Sequence, residues 1–133
     1  MSAIIDCVPQ RLHDGPAAGD TWRQPLHSIV DIGAYSDAAV FVHLLHADFD
    51  GANAIDFKVY TAPENRDGRY AEVTSVTVPY TVTLPYTHML YLTSKGDGGE
   101  FSGLDRFMRI EVEFTSGNMT ASYDVRALMR QRR

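Results

Sequence analysis

The chain has 133 residues, 44% of them hydrophobic and 22% charged, with a formal net charge of -5. That composition suffices for one domain with a real hydrophobic core and excludes a wholly disordered chain. The acidic balance gives no general attraction for nucleic acid or an anionic membrane, and no apolar run approaches the roughly 20 residues that a spanning helix needs.

A first strand is predicted over residues 2 to 8, ended by Pro9. It carries Cys7, the only cysteine, which rules out an intrachain disulfide and a Cys-x-x-Cys pair. With Ile4, Ile5 and Val8 around it, Cys7 reads as a small buried thiol rather than a nucleophile. No basic stretch followed by a long apolar one opens the chain, so no secretory signal is read and synthesis in a cytoplasm is expected. Residues 9 to 24 then read as an irregular arm or loop. His13-Asp14-Gly15-Pro16 and Gly19-Asp20 are turn formers, and the connection is long for a hairpin. Trp22 is either an anchor where this segment returns to the body, and so a partner-binding candidate, or a plug at the edge of the fold.

Strands are predicted next at residues 26 to 33 and 39 to 47. In the second, Val40, Val42 and Leu44 share one face and Phe41, His43 and Leu45 the other, the pattern of a central strand covered on both sides. Asp50-Gly51 turns the chain into a strand over 55 to 61, where Ile55, Phe57 and Val59 oppose Asp56, Lys58 and Tyr60. Arg66-Asp67-Gly68-Arg69 makes an exposed turn before a strand at 70 to 78. Pro79 and Pro85 bound residues 80 to 84, an edge strand or a bent extended segment. A strand at 89 to 93 is followed by a loop at Gly96-Asp97-Gly98-Gly99.

Residues 107 to 114, Phe-Met-Arg-Ile-Glu-Val-Glu-Phe, set Met108, Ile110, Val112 and Phe114 on a dry face and Arg109, Glu111 and Glu113 on a wet one. Ser116-Gly117-Asn118 leads to a last strand near 120 to 128, and residues 127 to 133 either continue it or form a helical turn. About eight or nine short strands, with no amphipathic helix between them, predict an all-β fold: an antiparallel β-sandwich or jelly roll.

No assembled catalytic signature is present: no Gly-x-Gly-x-x-Gly, Walker-type loop, His-Glu-x-x-His or Gly-x-Ser-x-Gly. His46 with Asp48 and Asp50 has the phase of a metal-binding turn. Asp48, Asp50 and Asn53, like Asp97, Glu100 and Asp105, offer oxygen ligands without EF-hand order. Ordinary turn chemistry explains both, so no metal, no cofactor and no enzymatic activity are expected. Tyr80, Tyr86, Tyr91 and Phe101 either cover the ends of the sandwich or form an aromatic platform for a sugar or extended peptide. The tail Arg126-Ala-Leu-Met-Arg-Gln-Arg-Arg is either a solvated patch or a dock for acidic protein or phosphate through Arg130, Arg132 and Arg133. No basic stripe continues into the body, so nucleic acid is not an expected partner.

Ala39-Val40-Phe41-Val42-His43-Leu44-Leu45, Ala54-Ile55-Asp56-Phe57-Lys58-Val59-Tyr60, Asp67-Gly68-Arg69-Tyr70-Ala71-Glu72-Val73 and Asp105-Arg106-Phe107-Met108-Arg109-Ile110-Glu111-Val112 resemble small β-sandwich structural proteins of tailed bacteriophages and gene transfer agents. The resemblance spans about residues 38 to 130 and leaves the segment from Gln10 to Trp22 outside it. It implies a non-enzymatic virion protein, made in the host cytoplasm, whose partners are capsid or other virion proteins. Decoration or cement of a shell is its first meaning, with a head-to-tail adaptor or tail component as the structural alternative. It also implies a homo-oligomer, with a trimer favoured. A carbohydrate-binding module is the alternative from a different functional class.

Overall fold

The computed structural model describes residues 2–14, 21–49, 53–93, 104–115 and 120–131. Among the described residues eight strands follow one another: β1 (Ser2–Asp14), β2 (Thr21–Arg23), β3 (Asp37–Asp48), β4 (Ala54–Ala62), β5 (Ala71–Pro79), β6 (Tyr86–Thr93), β7 (Phe107–Phe114) and β8 (Thr120–Arg130). They form two antiparallel four-stranded sheets, a first in the order β1-β8-β3-β6 and a second in the order β2-β7-β4-β5. The expected all-β sandwich is the observed architecture. Among the described residues no helix is long and apolar enough to cross a membrane.

The core lies between the sheets and is built from the period-two positions. Val40, Val42 and Leu44 of β3 are wholly buried, as are Ile55, Phe57 and Val59 of β4 and Ile110, Val112 and Phe114 of β7. From β8 come Ala121, Tyr123, Val125, Ala127 and Met129. Each buried large aliphatic or aromatic side chain contributes about 1.5–3 kcal/mol relative to exposure. The two sheets are therefore held chiefly by the alternation that defines their strands. At Arg66-Asp67-Gly68-Arg69 the expected turn is present, with Gly68 at φ 84° and the Arg69 N–H donating to the Arg66 carbonyl at 3.2 Å. A left-handed φ there favours glycine.

Two expectations need correction. β1 does not stop at Pro9 but runs on to Asp14, and Thr21–Arg23 pair with β7, so residues 9–14 and 21–23 are strand rather than arm. Of the predicted arm, residues 15–20 lie outside the described residues. Pro9 is tolerated because β1 is a sheet edge and its register with β8 shifts twice, between Asp6 and Val8 and between Val8 and Arg11. A proline at an edge bulge has no ladder bond to forfeit. The first shift also buries Cys7 and Val8 in succession.

Residues 26–33 are not a strand. Leu26–Ser28 form a 3₁₀ turn, in which the backbone N–H and hydroxyl of Ser28 both donate to the Pro25 carbonyl, at 3.0 and 2.9 Å. Proline before the turn and a serine that bonds back to it compete with a ladder. Only Asp31 reaches a sheet, through an isolated bridge to Phe107. Of the two readings of residues 80–84, the bent segment and not the edge strand is found: the chain turns at 80 and 81, with the Val82 N–H on the Pro79 carbonyl at 3.2 Å, and bends again at 84. The open question at the C-terminus resolves as strand: β8 pairs with β1 and β3 through Arg130.

Candidate functional site

The two outer faces of the sandwich differ in chemistry. On the second sheet the outward positions form a ladder of paired charges. Lys58 Nζ lies 2.8 Å from Glu113 Oε2 and 4.0 Å from Glu72 Oε1, and the hydrogen bond to Glu113 raises the lysine pKa. Glu111, expected on the wet face, is buried instead. Arg23 on β2 donates to it at 3.3 Å from one side, and Tyr60 on β4 bonds it from the other. Burial, followed by the bond to Glu111, pushes the Tyr60 phenol up to about 12.

A polar cleft of about 460 Å³ opens on this face beside Arg23, Tyr60, Tyr70, Arg109 and Glu111. Arg109 donates to the Gln24 carbonyl and to Asp67, both at 2.8 Å, and lies over the Tyr70 ring. Its arginines and carboxylates are thus committed to one another, which suits a structural network better than a receiver for a charged ligand.

The outer face of the first sheet has a different composition. Strand register aligns Ile4, Leu128, Ala39 and Tyr91 in one row across all four strands, and Asp6, Arg126, Phe41 and Met89 in the next. Ile4 is 74% exposed, Tyr91 56% and Met89 53%. Two hollows are cut into this surface. One, of about 300 Å³, is floored by Ala39 and bounded by Phe41, Met89, Tyr91 and Leu128; the other, of about 220 Å³, lies between Ile4, Arg126 and Leu128. Phe41 and Leu128 border both hollows.

The second row carries its own ion pair, with Arg126 Nε 3.1 Å from Asp6, and polar groups bound the rows at their ends: Arg130 is in register with Asp37 at one end. At the other end His43 Nδ1 lies 3.6 Å from Asp124. An apolar patch with a polar rim on an otherwise charged molecule is the ordinary signature of a protein contact surface.

Of the described residues expected to bind a partner, Arg130 and Tyr91 are on this face, where both border the larger hollow. Trp22 is half-buried against the core and pairs with Val112. Tyr80 is exposed in the turn after β5. Tyr86 packs on the core, and its hydroxyl lies 3.2 Å from His88 Nδ1, so the two tyrosines do not share an open platform. Phe101, Arg132 and Arg133 lie outside the described residues, as do Asp50, Asp97 and Glu100. Among the described residues no group of three or more His, Cys, Asp or Glu is placed to hold a metal ion.

Sequence reasoning missed Ile4, Met89 and Leu128. The available signal was apolar residues in both phases of one strand: Ile4 with Ile5, Met89 and Tyr91 with Leu90 and Leu92, Leu128 with Ala127. In β3 the same signal leads to an expectation of two covered faces, whereas Phe41, His43 and Leu45 are only half-buried.

No protein-family model matches the chain, and no curated protein sequence matches it. Solved structures share its fold. The chain is similar to one from the T13 infectious bursal disease virus particle, with a TM-score of 0.56 and 9% identity over 98% of this chain and 31% of that one. It is also similar to the chain of the infectious bursal disease virus VP2 subviral particle, with a TM-score of 0.53 and 12% identity over 98% of this chain and 32% of that one. It therefore spans about a third of the length of either. Neither is a tailed-bacteriophage or gene transfer agent protein.

Proposed function

We propose that this chain is a non-enzymatic structural protein of a virion that decorates or cements a shell, and that the outer face of the first sheet is its assembly contact. The observation that carries the reading is the apolar surface, among the described residues, of exposed Ile4, Met89 and Tyr91 with half-buried Phe41 and Leu128, on a sandwich whose opposite face carries paired charges. A protein selected to remain alone has no use for such a surface, whereas one built into an array buries it. The fold likeness to chains of infectious bursal disease virus particles supports the particle setting. Many copies, each with modest interface energy, suffice for shell stabilisation because avidity multiplies weak contacts.

Co-sedimentation with preassembled shells tests the reading. The intact chain is expected to pellet with shells, and Met89→Glu, at an exposed position, to lose most of that binding while keeping its melting temperature. Undiminished binding by Met89→Glu would remove this face from the mechanism. Electron microscopy of decorated shells should then show density repeated over the surface; a single occupied ring at one vertex would indicate a head-to-tail adaptor instead.

A further inference from the structure

We propose that the occupant of this face is a second copy of the chain, paired sheet on sheet about a two-fold axis that runs along the strands between β8 and β3. The inference rests on the reading of that face as the assembly contact and names its partner.

The facing surfaces of the two copies are complementary under that one operation. In the order β1-β8-β3-β6, such an axis lays β8 over the partner's β3 and β1 over the partner's β6. Along β8 and β3 the facing residues match at each level. Arg130 stands over the partner's Asp37, the residue with which it is in register in its own sheet. Leu128 stands over the partner's Ala39, a large side chain against a small one. Arg126 meets the partner's Phe41, a cation over an aromatic ring. Asp124 meets the partner's His43.

At the margins Ile4, the most exposed large apolar side chain among the described residues, stands over the partner's Tyr91, and Asp6 over the partner's Met89. The Asp6 pairing gives no attraction, but Arg126 of the same copy already neutralises that carboxylate. The hollow floored by Ala39 lies on the β3 and β6 side and the Ile4 ridge on the β1 side, so each copy offers the other both a knob and a hole. A rotation about an axis across the strands would align none of the β8 and β3 pairs. Sheet-on-sheet packing keeps strand directions within about 30° of each other, which this axis satisfies.

Sedimentation of two variants and their mixture tests the pairing. The intact chain is expected at twice its 14.8 kDa. Ile4→Lys and Tyr91→Glu alter exposed side chains, so both should melt like the parent. Each alone should weaken self-association about tenfold, which corresponds to about 1.4 kcal/mol. An equimolar mixture should recover much of it, since the introduced ammonium of one variant then faces the introduced carboxylate of the other. A monomeric intact chain, or single variants that pair like the parent, would overturn the inference. If the intact chain is monomeric yet Tyr91→Glu still loses shell binding, the assembly face stands and only the two-fold partner falls. If neither mass nor shell binding responds to either variant, both readings fall.

Discussion

Phe57 of β4 meets Tyr123 of β8 edge to face across the core, with ring centroids 5.4 Å apart and planes at 79°. Both rings are almost completely buried, and the pair links the second sheet to the first at a middle strand of each. Phe57→Ala should therefore destabilise the protein by about 3–5 kcal/mol, the sum of lost transfer energy and a cavity that neither sheet can close. Urea unfolding should show the midpoint fall with little change in slope. A loss under about 1 kcal/mol would mean that the sheets are held elsewhere.

Arg23 donates to Glu111 from β2 and Tyr60 bonds it from β4, which makes Glu111 a buried acceptor rather than a solvated charge. Glu111→Ala should cost about 1–3 kcal/mol, because Arg23 and the half-buried phenol of Tyr60 both lose their shared acceptor. Ile110→Asp, which places a carboxylate in the core itself, should cost more and abolish cooperative unfolding. Thermal melts of the two variants check the order; Glu111→Ala indistinguishable from the parent would show that the carboxylate is solvated after all.

The period-two strands were legible because one face of each is dry: Ile110 and Val112, or Ile55 and Phe57, satisfy no other regular structure. The turn at Gly68 was legible for an equally local reason. Pro9 misleads because its effect depends on whether a strand is an edge, a fact of topology rather than of neighbours along the chain. Residues 26–33 carry apolar side chains at strand spacing, yet Pro25 and Ser28 bring them in through a 3₁₀ turn, with Ile29 and Ile32 buried as loop residues. The candidate face was hidden for the same kind of reason. Apolar residues in both phases of β3, β6 and β8 are consistent with a covered strand until the sheet order leaves one side open. Deletion of residues 10 to 21 would accordingly remove the second half of β1 rather than a free arm.

Cys7 is buried, and burial, followed by the adjacent Asp6 charge, pushes its thiol from 9.0 up to about 12. The native state therefore keeps a proton that the unfolded chain releases. Its stabilising contribution is complete below pH 9 and is lost as pH rises toward 12. Between about pH 9 and 10 the melting temperature should fall more steeply for the parent than for Cys7→Ala. Native protein at about pH 8 should also resist alkylation by iodoacetamide until it is unfolded. Equal pH slopes, or rapid native labelling, would place the thiol in solvent.

Gln24 is a buried clasp between the short edge strand β2 and its neighbour β7. Its backbone N–H donates to the Ile110 carbonyl at 3.0 Å, its side-chain carbonyl accepts from the Ile110 N–H at 3.1 Å, and its amide donates to the Ser28 carbonyl at 3.4 Å. Thr21–Arg23 give β2 only three residues of pairing, so the glutamine extends the ladder by one rung that a side chain completes. Gln24→Ala leaves the Ile110 N–H without that acceptor in a dry site and should cost about 1–3 kcal/mol. Gln24→Glu retains the acceptor but replaces the donor to Ser28 with a charge, so it should cost at least as much at neutral pH and recover in part when acid protonates the new carboxyl group. Hydrogen exchange at Ile110 reads this directly: its amide should be among the slowest in the parent and exchange markedly faster in Gln24→Ala. Unchanged protection would mean that β7 is sealed at that position by something other than the glutamine.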